Sequence, residues 1–108
     1  MIIVTSEYIQ HKRIVKTLGL VRGNTIRARH IGRDLAAAFR NVVGGEIKDY
    51  TKLMAEAREQ AMDRMIEHAR SMGANAIVMT RFSTAEIAQH AAEILVYGTA
   101  VVVEDDAS

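Results

Sequence analysis

Between Asp49 and Met72 the apolar residues Tyr50, Leu53, Met54, Ala57, Ala61, Met65, Ala69 and Met72 recur at intervals of three and four. Side chains so spaced lie on one face of an α-helix, which commits the chain to a long amphipathic helix with one surface to bury. Asp49 is placed to cap its N-terminus, and Gly73 to end it in the left-handed conformation that glycine adopts without a Cβ clash. A second, shorter helix is predicted over Ile31, Leu35, Ala38, Phe39 and Val42, ending at Gly44 or Gly45 and joined to the long one through GGEIK.

The remaining stretches read as strand. Ile2 to Thr5 is a short one. RIVKTLGLVRGNTIRARH alternates after Gly23, with Thr25, Arg27 and Arg29 on one face and Ile26 and Ala28 on the other; Gly19 and Gly23 mark bulges or a hairpin turn. NAIVMTRF follows the long helix and EILVYGTAVVVE closes the chain, with STAEIAQHAAE between them as a hairpin connection that has room for a short helical turn. Strands, two helices, then strands predict a single α+β domain over residues 1–108, its short and long helices packed on one face of a small, mainly antiparallel sheet. The nearly continuous apolar run from Ile94 to Val103 suits a strand covered on both faces, yet helices on one side cover only one. Open sheet edges add to the demand for a partner. Both features predict self-association into a closed, ring-shaped oligomer.

The chain has no cysteine, which removes disulfides, thiolate metal sites and cysteine nucleophiles and fits a reducing compartment. No signal-peptide pattern or membrane-length apolar run is present, and a cytoplasmic location is expected. The net charge of +1 conceals an asymmetry. Lys12, Arg13, Lys16, Arg22, Arg27, Arg29, Arg33 and Arg40 have only Asp34 as an acid within their span, while Glu104, Asp105 and Asp106 end the acidic half. Such a distribution suits an anionic partner, a second copy of the chain, or a solvated surface.

The glycine pair Gly44-Gly45 follows a helix and is succeeded by Glu46 and Ile47, whereas a phosphate loop needs a lysine and a hydroxyl residue there. It reads as a turn between helices. His30 and Asp34 are four apart and, on a helix, would share a face as an imidazole and carboxylate pair able to bind a divalent metal or to pair with each other. His68 with Met65 and Met72 is a weaker pattern, more often core filling. No nucleophile elbow or HExxH motif occurs, and Glu46, Tyr50 and Glu93 cannot be assembled into acid-base machinery from sequence. Arg27, Arg29 and Arg33 within IRARHIGRD are the strongest ligand-facing group, since several guanidinium groups could converge on phosphate or carboxylate. Intersubunit salt bridges would use the same residues. Nucleic acid fits less well, because the stretch lacks interleaved aromatics.

The motifs RHIGRD, VVGGE, GANAIV, RFST and YGTAV, spread over almost the whole chain, closely resemble the YbjQ family of small bacterial and archaeal proteins, which carries a provisional heavy-metal-binding label. The resemblance implies an α+β fold assembled as a homopentameric ring. It transfers no metal ligands residue by residue, and the absence of cysteine departs from soft-metal chelation. AQHAAE before the last strand is another departure, from a glycine-richer loop, and marks His90 as peculiar to this chain. The function expected is that of a homo-oligomeric binding protein for a small anionic ligand held at subunit interfaces by Arg27, Arg29, His30, Arg33 and Asp34, with Arg81 contributing. The alternatives are metal buffering through His30 and Asp34, and a structural or interaction module.

Overall fold

The computed structural model describes residues 1–28, 48–88 and 91–106. Four strands, β1 (Ile2–Ile3), β2 (Lys12–Ala28), β3 (Ala76–Ala88) and β4 (Ala91–Asp105), form one sheet in the order β1-β3-β4-β2. β1 runs parallel to β3, and the other two pairings are antiparallel. Among the described residues one helix, α1 (Lys48–Ser71), lies on one face, packed mainly on β2 and also on β4. The fold is therefore α+β with a mixed, mainly antiparallel sheet. The shorter helix predicted over residues 31–44 and the GGEIK junction lie outside the described residues.

The apolar stripe of α1 does what its period requires. Ala57, Ala61, Met65 and Ala69 are fully buried against Val21 of β2, Ile77 of β3 and Ile94, Val96 and Ala100 of β4, with Met54 and Met62 at the margin. The helix ends in paired bonds: the Ala74 amide donates to the Ala69 carbonyl and the Gly73 amide to the Arg70 carbonyl, at 3.0 Å each. Gly73 has φ +89. This is the glycine-terminated helix end foreseen from sequence, and Ala74 folds back onto the core beside it. Asp49 lies inside the helix, which already includes Lys48, rather than at its cap.

The two glycines of β2 have different causes. Gly19, at φ +130, sits at a register shift between Thr17 and Gly19 and is a bulge residue. Gly23 is in regular register with Val96, neither bulge nor turn. A Cβ there would stand 2.5 Å from the Met65 amide nitrogen and closer still to the Ala61 carbonyl oxygen, so it is the close approach of the helix backbone that demands glycine. Thr25, one step further on the same face, is buried and donates its hydroxyl hydrogen to the Ala57 carbonyl at 2.7 Å.

The opposite face is closed at one end by the chain's own N-terminus. Val4 and Ile9 pack against Ala76, Val78, Val101 and Val103. Backbone bonds hold the segment: the Val4 amide donates to Ile77, Thr80 donates to Val4 and Met79 to Ser6. Part of the double cover that the Ile94–Val103 run requires is thus supplied within the single chain. Beyond this strap the outer face leaves Leu20 64%, Ile26 56% and Tyr97 38% exposed.

STAEIAQHAAE is mostly strand. Ser83 to Glu86 pair with Leu95 to Ala92 in unbroken register, so the hairpin foreseen here extends its ladder through the alanine-rich stretch; Gln89 and His90 lie outside the described residues. Cross-strand pairing overrides the weak strand preference of Ala and Glu.

Candidate functional site

Of the candidate ligand residues, Arg29, His30, Arg33 and Asp34 lie outside the described residues. Arg27 is described, on the helix-facing side of β2 in register with Ala92. Its Nη2 donates to Gln60 Oε1 at 2.7 Å, while its Nε is buried and has no partner among the described residues. The guanidinium is therefore held by α1 with donor capacity unused.

Arg81 is placed elsewhere. It pairs in register with Tyr97, and odd-numbered residues of β4 face the outer side, away from α1. Its Nη1 donates to the carbonyls of Thr5 and Thr80, at 2.8 Å each, tying the N-terminal strap to β3. Arg27 and Arg81 thus stand on opposite faces, and a single chain does not bring them onto one ligand.

The bulge in β3 explains why Arg81 faces outward. Val78 pairs with Thr99 and Arg81 with Tyr97, so three steps on β3 match two on β4. The extra residue is Met79, at φ 57, and Thr80 beside it is buried with a hydroxyl that has no partner among the described residues. Gly98 makes room for this distortion, since a Cβ there would stand 2.7 Å from Ile77 Cγ2 and 3.0 Å from the Val78 carbonyl oxygen.

The metal patterns fare differently. Among the described residues no group of three or more His, Asp or Glu could hold a metal ion. Met65 is buried in the core, and the His68 Nδ1 accepts the Arg22 amide hydrogen at 3.4 Å, so His68, Met65 and Met72 form no open ligand set. Arg64 Nη1 donates to the Asn24 carbonyl at 2.6 Å. His68 and Arg64 thereby cover the outward backbone groups of an edge strand, a role their sequence positions do not disclose. Glu93 accepts from the Asn24 side-chain Nδ2 at 3.2 Å, and Glu46 and the side chain of Tyr50 lie outside what is described.

The charge asymmetry is met partly within the chain itself. The antiparallel register of β2 and β4 sets Lys12 against Asp105 and Arg13 against Glu104, with an ion pair at each step, the second at 3.2 Å. The hydrogen bond from Lys12, and then its charge, hold the Asp105 carboxyl below its ordinary value of 3.8. Such exposed pairs contribute little stability, and they sit in accord with the strand register. Arg22, farther along β2, has no side-chain partner among the described residues.

Comparison with known proteins agrees with this architecture. A family model of the YbjQ type, described as "Putative heavy-metal-binding", matches residues 1–104. A UPF0145 protein of Clostridioides difficile is 55% identical over 108 residues, covering 100% of this chain and 96% of the relative. One from Thermococcus kodakarensis is 50% identical over 106 residues, 98% of this chain and 94% of that one. Among solved structures, a protein of unknown function from the DUF74 family of Pediococcus pentosaceus superposes with a TM-score of 0.68 at 14% identity, over 96% of this chain and 98% of its own, a likeness of fold alone. With the match running from the N-terminal strap through β4, the chain belongs to the YbjQ family.

Proposed function

We propose that the protein is a homo-oligomeric binding protein for a small anionic ligand, with the site where copies meet in a pentameric ring in the cytoplasm. Arg27, Arg29 and Arg33 bind the anion, and His30 and Asp34 orient it. The observation that supports this reading is Arg27: a guanidinium fixed by Gln60, with a buried Nε that lacks a partner among the described residues. A buried donor without an acceptor costs stability, and an anionic oxygen would satisfy it. Arg81, on the other face, enters such a site only from a neighbouring copy.

Native mass spectrometry of untagged protein tests both parts. A ring mass carrying a small anionic adduct, lost when Arg27, Arg29 and Arg33 are replaced by glutamine, is expected. A monomer at micromolar concentration, or an adduct that survives the triple replacement, would refute it.

The family description favours a second reading, metal buffering by His30 and Asp34 of neighbouring copies. The described residues supply no metal-ligand set, and without cysteine the chain offers no thiolate to a soft ion. Metal uptake that releases protons and disappears in His30→Ala would establish this reading in place of the first.

A further inference from the structure

Across the outer face of the sheet, Arg22, Tyr97 and Arg81 form one row, because Tyr97 is the register partner of Arg22 on β2 and of Arg81 on β3. Adjacent strands lie just under 5 Å apart, so the two arginine backbones are about 10 Å apart with the phenol between them. The Arg22 amide points off the sheet edge to His68, which makes Arg22 and Tyr97 a non-hydrogen-bonded pair, the kind whose side chains stand closest. Neither arginine meets a carboxylate among the described residues, although Glu93 lies on the same face and is bonded to Asn24. Arg81 is held in place through Nη1, and its Nε and Nη2 have no partner among the described residues.

This row depends on a strained feature. Without the extra residue at Met79, two-residue alternation would set Thr80 opposite Tyr97 and turn Arg81 to the other face. The chain accepts a methionine at φ 57 and a buried, unpartnered Thr80 hydroxyl in the arrangement that places a second cation beside Tyr97. Local strain of this kind clusters at binding and catalytic sites.

We propose that Arg22, Tyr97 and Arg81 form a binding site for a phosphorylated planar compound of mononucleotide size, its ring on the Tyr97 phenol and its phosphate on the guanidinium groups. Aromatic stacking and charge-assisted bonds to phosphate are complementary recognition elements for this ligand class. Tyr97 is the one aromatic side chain on this face of β2, β3 and β4 among the described residues, which provides for one base rather than a strand of them. The site is separate from Arg27, which lies on the opposite side of the sheet.

Titration calorimetry with adenosine monophosphate, inorganic phosphate and adenosine tests it, together with a short oligothymidylate. The monophosphate is expected to bind more tightly than either of its parts. Arg22→Gln and Tyr97→Leu are each expected to weaken it about tenfold or more, as loss of one charged or stacking contact does. Arg22→Gln is the sharper variant, because it removes no side-chain hydrogen bond or ion pair with the rest of the described protein and should leave the melting temperature nearly unchanged. Replacement of Arg27, Arg29 and Arg33 should leave this binding intact, which separates it from the ring-interface reading. No monophosphate binding, equal binding of phosphate alone, unchanged binding in the Arg22 and Tyr97 variants, or tighter binding of the oligothymidylate would each overturn it.

Discussion

Gly23→Ala puts the packing of α1 on the sheet to a quantitative test. The added Cβ would sit 2.5 Å from the Met65 amide nitrogen, whereas ordinary contact begins near 3.4 Å, so the helix must retreat by about 1 Å even before the closer Ala61 carbonyl is considered. Both obstructing atoms are backbone, so no rotamer change relieves the clash. A radial gap of that size forfeits roughly a quarter to a half of the attraction between facing atoms. It opens beneath Ala57, Ala61 and Met65, which have no exposed surface at all. With overpacking costing about 1–3 kcal/mol and this one being rigid, about 3 kcal/mol is expected. At about 4–8 °C per kcal/mol for a domain near this size, the melting temperature should fall by roughly 12–24 °C. Thermal unfolding followed by circular dichroism at one fixed protein concentration measures it, since any self-association would make the midpoint concentration-dependent. Gly73→Ala is the control: nothing lies within 4 Å of its Cβ position, and only the φ of +89 opposes a side chain, a cost of about 1 kcal/mol. A Gly23→Ala protein melting within about 4 °C of the parent would refute the close-approach argument.

Two other predictions concern backbone strain and charge. Met79→Asn, which keeps the left-handed bulge with a residue that tolerates it and removes a side chain already 41% exposed, should stabilise the protein by about 0.5–1 kcal/mol in urea unfolding; a lower midpoint would show the bulge to be unstrained. Lys12→Met should let the Asp105 carboxyl rise toward 3.8, read by an NMR pH titration. Because the folded value is depressed, the small stabilisation from this pair is present above pH 3.8 and is lost as pH falls through the folded value, so parent and variant should converge in stability in acid. An Asp105 titration indifferent to the substitution would remove Lys12 as the cause.

The long helix and its end were legible in the sequence because both rest on local signals, a three- and four-residue period and a glycine where a left-handed residue is wanted. The sharing of a face by Thr25 and Arg27 was legible too, since a regular strand alternates strictly. Gly23 was not, because its cause is a helix backbone some forty residues away, and a glycine in a strand looks the same whether it relieves a bulge or a contact. The bulge at Met79 had no signal at all, methionine being a poor residue for positive φ, and one unrecognised bulge is enough to misassign the face of every strand residue beyond it. Nothing in the sequence separated Arg81 from Arg27, which lies across the sheet from it. The basic and acidic segments, for which the sequence allowed an anionic partner, a second copy of the chain or a solvated surface, are in part paired by the register of β2 on β4.

How each sheet face is closed bears on where ligands can act. On the helix side, backbone-to-backbone contact at Gly23 leaves no depth for a guest, so a site there must lie past Thr25, where Arg27 reaches Gln60 at the margin of α1. On the outer side the strap stops short: it buries Val78, Val101 and Val103 and is tied down by Arg81, and the next row of the sheet is already open, with Tyr97 38% exposed. Arg81 therefore links the two, since the side chain that secures the strap also borders the open row. Loss of the Thr5 carbonyl contact in Arg81→Gln should loosen the strap as well as weaken an anion held beside Tyr97, whereas Arg22→Gln should affect the anion alone. If hydrogen exchange at the Val4 and Met79 amides quickens in Arg81→Gln and not in Arg22→Gln, the two roles of the row are separable; equal protection in all three proteins would show that the strap is held by its backbone bonds without Arg81.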